Sequence, residues 1–164
     1  MASQLKNLSD FSHTTIPSAA SFRFGIVVAE WNSAITNALL KGAHQTLTSN
    51  GAKEENILIY PVPGSFELTS GTDLLLNKGG LDAVICLGCV IQGETRHFDF
   101  ICNAVANGLS NVSIKYSKPV IFGVLTTDNQ QQAVDRSGGK HGNKGDEAAI
   151  TAIKMAELAE TLIR

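Results

Sequence analysis

Apolar residues gather in four short runs, at positions 22–29, 56–62, 83–90 and 120–125, each rich in β-branched side chains and nearly continuous in apolar character. Runs of that kind suit strands covered on both faces, as in a parallel sheet, whereas a half-exposed antiparallel strand would alternate. Between them the period changes. Ile35, Leu39, Ala43 and Leu47 repeat at fours, as do Ile101, Val105 and Leu109, so each set lies along one face of a helix. Asp128, with Gln131 three positions later, has the spacing of a capping box and predicts another helix start. Residues 146–163 close the chain as a helix whose Ala149, Ile150, Ile153, Ala156, Leu158 and Leu162 cover more than one stripe. Such a helix packs against something besides its own sheet, and an oligomer would supply that surface. Strands alternating with helices give an α/β three-layer sandwich, a four-stranded parallel sheet with helices on both faces.

The first residues do not join this pattern. Positions 1–21 are rich in Ser and Thr, carry no strong period, and read as an arm or as an edge strand on a neighbour. Positions 22–164 read as a single domain, since domains usually run to about 100–150 residues. Lys6 is the only Lys or Arg before Arg23, which suits a transit peptide poorly. With 43% hydrophobic residues, 17% charged residues and a net charge of -2, the chain is an ordinary globular protein and not a basic nucleic-acid binder. No apolar run approaches the roughly 18–20 residues that span a bilayer, so a cytoplasmic protein without membrane attachment is expected. Cys86 and Cys89 form a C-x-x-C inside an apolar run. Residues three apart on a strand point to opposite faces, so reduced thiols are expected there, with no metal.

In an open parallel sheet, ligands bind beyond the carboxyl ends of the strands. There the chain carries Trp31 and Asn32, then Pro63-Gly64-Ser65-Phe66-Glu67, then Gln92-Gly93-Glu94-Thr95-Arg96-His97, then Thr126-Thr127-Asp128. Four loops would share one rim. Trp31 could stack on a flat heterocycle or serve as a core residue. The Pro63-Gly64 turn would aim Glu67 into the rim, although a carboxylate at a helix start also complements the dipole. The glycine loop at Gly93, placed before a helix expected from about Asp99, is a ready anion site. Arg136 suits a phosphate through its rigid fork of donors, or else an ordinary surface ion pair. His97, in that loop, can accept and donate a proton near neutrality; a solvated or capping histidine is the plainer alternative. The glycines from 138 to 145 lack the spacing of a nucleotide phosphate loop, and no strand precedes them.

Four segments taken together resemble the lumazine synthase family. They are Pro63-Gly64-Ser65-Phe66-Glu67; Gly88-Cys89-Val90-Ile91-Gln92-Gly93-Glu94-Thr95-Arg96-His97-Phe98; Phe122-Gly123-Val124-Leu125-Thr126-Thr127; and Arg136 followed by Gly142-Asn143-Lys144-Gly145. The match in order and spacing runs from about Arg23 to the C-terminus. The resemblance implies a flavodoxin-like fold and pentamers with active sites between adjacent subunits. It implies condensation of a ribitylamino-pyrimidinedione with a four-carbon sugar phosphate, without a cofactor, in riboflavin biosynthesis. By resemblance His97 is the general acid/base. Trp31, Ser65, Phe66, Glu67, Cys89, Val90, Ile91, Phe122 and Lys144 contact substrate, and Glu94, Thr95 and Arg136 hold phosphate. The family commonly has phenylalanine where Trp31 stands and a basic residue where Gln92 stands. The compact stretch from Gly138 to Gly145 resembles members that build icosahedral shells of pentamers. A flavin-binding electron carrier and a shell protein without turnover are the competing classes.

Overall fold

The computed structural model describes residues 7–13 and 15–163. Residues 1–6 and 14 of the expected arm lie outside the described residues. A parallel sheet is built from β1 (Phe24–Ala29), β2 (Ile57–Val62), β3 (Ala83–Ile91) and β4 (Val120–Thr127), in the order β2-β1-β3-β4. The helices α1 (Ser33–Ser49), α2 (Leu68–Lys78), α3 (His97–Tyr116), α4 (Gln130–Arg136) and α5 (Lys144–Ile163) alternate with or follow the strands. The expected four strands and sandwich class hold.

Period-2 alternation along the strands splits the apolar side chains into two cores. Phe24, Ile26 and Val28 face the layer of α1 and α5, where Ile35, Leu39, Ala43 and Leu47 meet Ile150 and Ile153. Val27 and Val84 face α2 and α3, against Leu68, Leu75, Val105 and Leu109. Cys89 lies in the first core and Cys86 in the second, as their strand spacing requires. Inside the second core the Cys86 thiol sits 3.1 Å from the Thr72 hydroxyl. Burial pushes Cys86 up to about 12 and Cys89 up to about 11.

Several local expectations are corrected. β2 is not covered on both faces: it is an edge strand, and Ile59 and Tyr60 are exposed. Asn129, not Asp128, caps α4. Its side chain accepts from the Gln132 backbone N–H at 3.0 Å, and Gln132 Oε1 in turn accepts from the Asp128 backbone N–H. The capping device is present but displaced by one residue from the predicted pair. α3 begins at His97, so this histidine belongs to the first turn of a helix and not to a loop. The closing helix begins at Lys144. Its second packing surface is largely α1 of the same chain, although Leu158 and Leu162 near its end remain exposed. Between α4 and α5 the glycine-rich stretch forms a small antiparallel pair, β5 (Ser137–Gly139) and β6 (Gly142–Asn143). The described part of the arm contains no strand; Phe11 and Ile16 pack on the first core, and Ala19 is buried in it.

Candidate active site

In a sheet ordered 2-1-3-4, the direction of winding reverses between β1 and β3, and the crevice beyond their carboxyl ends is the natural ligand site. The chain leaves β1 through Glu30 and Trp31, and turns at Asn32, which adopts a left-handed conformation (φ 59°). Asparagine tolerates that region better than most residues. Its Nδ2 donates to the Cys89 carbonyl at 3.0 Å, tying the end of β1 to the end of β3 at the point of reversal. Its own carbonyl accepts from the Ile35 N–H and starts α1.

A cleft of about 590 Å³ opens at this point. Trp31, Asn32, Ser65, Phe66, Glu67, Cys89, Val90, Ile91 and His97 line it, with Gly64 and Ile101 completing the wall. One side is apolar: Trp31 is 73% exposed and Phe66 55% exposed, an arrangement that leaves flat surfaces available for a heterocycle. The other side is polar. Ser65 is buried, and Gly88 of β3 makes room for it, since a Cβ there would lie 2.7 Å from the Ser65 hydroxyl oxygen. Glu67 occupies the N-cap position of α2, and its carboxylate makes no hydrogen bond or ion pair among the described residues. Both readings of Glu67 therefore hold geometrically: it complements the α2 dipole, and its oxygens can accept from a ligand.

His97 stands on the opposite lip as the first residue of α3, exposed to the cleft mouth. Its backbone N–H donates to the Thr95 hydroxyl at 3.4 Å, and its ring has no partner among the described residues. Gly93, Glu94 and Thr95 lead into the same helix end and are exposed. Beyond them the Gln92 N–H donates to the Thr127 carbonyl at 2.8 Å, fastening the loop to the end of β4.

The structure does not bring Phe122, Arg136 or Lys144 to this cleft. Phe122 pairs with Cys86 across the sheet and lines a separate hollow with Ile114 and Val120 on the α3 side. Arg136 ends α4; one of its nitrogens donates to the Gln132 carbonyl at 3.2 Å, and its neighbour Asp135 pairs with Lys140 at 3.0 Å instead. Lys144 starts α5 and holds Glu147 at 2.9 Å. Thr126, Thr127 and Asp128 sit at the end of β4 without lining the cleft. Among the described residues no group of three His, Cys, Asp or Glu side chains is placed to hold a metal ion.

A profile of 6,7-dimethyl-8-ribityllumazine synthases matches residues 21–160. The chain belongs to the 6,7-dimethyl-8-ribityllumazine synthase family. A protein of that name from Cytophaga hutchinsonii is 62% identical over 162 residues, covering 99% of this chain and 100% of the relative. Relatives of the same name from Phocaeicola vulgatus and Parabacteroides distasonis are 51% and 52% identical, over 99% and 97% of this chain and 96% and 99% of their own lengths. As a member of this synthase family the chain is an enzyme of the transferase class.

Asn32, Gly64, Gly88 and Ile101 contribute to this synthase cleft although the site reading of the sequence did not include them as ligand residues. The signal for Asn32 was available, an asparagine directly after a strand and before a helix. Gly88 was hidden, because nothing in a strand's own sequence says which loop will press against it.

Proposed function

We propose that the cleft joins 5-amino-6-(D-ribitylamino)uracil to 3,4-dihydroxy-2-butanone 4-phosphate, giving 6,7-dimethyl-8-ribityllumazine, inorganic phosphate and two molecules of water, as a step of riboflavin biosynthesis. One observation carries the reading: two exposed aromatic rings, an unpaired carboxylate and an unpaired imidazole face one cleft at the sheet's reversal point. The rings flank the pyrimidine, Ser65, Phe66 and Glu67 hold its edge and ribityl chain, and Cys89, Val90 and Ile91 form the floor. Glu94 and Thr95, at the amino end of the 20-residue α3, meet the phosphate beside His97.

The pyrimidine's own amine attacks the ketone carbonyl, so the enzyme need not supply a nucleophile or a bound cofactor. His97 moves protons as the first carbinolamine loses water, as phosphate leaves to give an enol that becomes a ketone, and as the second amine closes on that ketone with loss of a second water. Holding two reactants together removes a translational cost that can be worth about 7–11 kcal/mol, which makes positioning the larger part of the catalysis. Phe122, Arg136 and Lys144 reach the reactants from an adjacent copy in a pentamer, covering Trp31 and Phe66 and adding two cations at the phosphate. Pentamers pack further into an icosahedral shell, and the enzyme works in the cytoplasm. Residues 22–164 form the single catalytic domain.

Mixing protein with both substrates and following the fluorescence of the lumazine product tests the reaction. Wild type produces it at a rate proportional to protein. His97→Ala lowers kcat by roughly 10²-fold, the low end of a general acid-base contribution, and keeps residual turnover. Unaltered kcat in that variant contradicts the role of His97, and no product from wild type contradicts the reaction.

A further inference from the structure

Arg136 and Lys144 lie eight positions apart in sequence, on two different helices, yet the small β5-β6 pair brings their backbones together. Ser137 pairs with Asn143 across this antiparallel ladder. Arg136 precedes Ser137 and Lys144 follows Asn143, so the two cation-bearing residues leave the ladder at the same end.

Asn143 is the most heavily tied residue of that corner. Its Nδ2 donates to the Ala38 carbonyl on α1 at 2.9 Å, and its Oδ1 accepts from the Gly145 N–H at 2.8 Å, capping α5. Its backbone N–H donates to the Ser9 hydroxyl at 2.9 Å, and the Leu8 N–H donates to the His141 carbonyl at 2.8 Å. The arm is thereby strapped along the pair. Gly142, at φ 79°, lies beneath it, where a Cβ would collide with Asn7. Lys144 places an ammonium at the amino end of α5, where the helix dipole disfavours positive charge, and the Glu147 carboxylate holds it there at 2.9 Å. A bound dianion beside Lys144 would offset the dipole penalty.

We propose that Asn143, latched by Ser9 of the N-terminal arm, is the positioning residue that holds Arg136 and Lys144 as one phosphate-binding pair. The proposal rests on the reading that these two cations hold the sugar phosphate, and it adds what keeps them in register.

The test is steady-state kinetics on the assembled enzyme, varying each substrate in turn, with inorganic phosphate as a competing probe. Asn143→Ala raises KM for the sugar phosphate on the order of tenfold and weakens inhibition by inorganic phosphate in proportion, while KM for the pyrimidine stays within about twofold, the loss expected for one capping and anchoring side chain. Asn143→Ser, which keeps a capping oxygen, recovers most of that loss. Ser9→Ala, which removes the hydroxyl that accepts from the Asn143 N–H, shifts the same two constants in the same direction by a smaller factor. Arg136→Ala and Lys144→Ala serve as references. If they raise the sugar-phosphate KM and Asn143→Ala and Ser9→Ala do not, the positioning proposal falls alone. If neither reference variant raises it, the phosphate assignment itself is wrong.

Discussion

At the residue scale, the Glu67 carboxylate and the His97 ring line the cleft without a hydrogen bond or ion pair among the described residues. Trp31 is the only tryptophan and stands largely exposed beside the cleft, so its emission reports on whatever stacks there. Titration with riboflavin, a flat ring carrying a ribityl chain, is expected to quench it saturably; emission unchanged across the titration would show that the indole does not face the ligand. The thiols behave oppositely. Thiolate is the reactive form, and burial holds Cys86 near 12 and Cys89 near 11, far above working pH. An aromatic disulfide reagent at pH 8 is expected to label no more than one thiol per native chain, the partly exposed Cys102, and all three after unfolding. Rapid labelling of two or more native thiols would contradict the strand placement. Trp31, the Ser65-Phe66-Glu67 turn and His97 were legible in the sequence because chemistry-bearing residues followed apolar runs. Asn32's bridge to Cys89 was not, because it depends on β1 and β3 being neighbours.

At the element scale, the four strands were readable to within two residues at each end, since continuous apolar runs are a strong signal. What sequence could not supply was each strand's position. The runs at 56–62 and 120–125 look like the other two, yet they form the two edges of the sheet. The β5-β6 pair was invisible for a different reason: strands of three and two residues, mostly glycine, carry no hydrophobic period. This corner is also where stability should respond to acid. Hydrogen bonds from Gln131 and Lys140, with Lys140 also acting through its charge, hold the Asp135 carboxyl below the usual carboxylate range. A lowered folded-state pKa gives stability that is complete above the unfolded value near 3.9 and lost as pH falls through the folded one. Melting temperature is therefore expected to drop below about pH 4, and Asp135→Asn should be less stable at neutral pH but show a shallower drop on acidification. Parallel curves for the two proteins would remove Asp135 from this role.

At the scale of the whole molecule, the residues that the family resemblance assigns to one site do not all meet within one chain. The Trp31 and His97 cleft lies at the reversal point of the sheet, while Phe122, Arg136 and Lys144 look elsewhere. The order of motifs along the sequence made both groups legible as candidate site residues, but only three dimensions show that Phe122, Arg136 and Lys144 stand outside the cleft of their own chain. Light scattering on the purified protein should give about 87 kDa, five times the 17.4 kDa chain, or a multiple of it. Complementation decides whether the two groups belong together. His97→Ala and Arg136→Ala chains, each impaired alone, are to be co-expressed so that they assemble at random. If a site takes its imidazole from one chain and its guanidinium from the next, some sites in mixed assemblies regain both groups, and lumazine formation exceeds the mean of the two parent variants. A rate equal to that mean would show that the two residues do not serve one shared site.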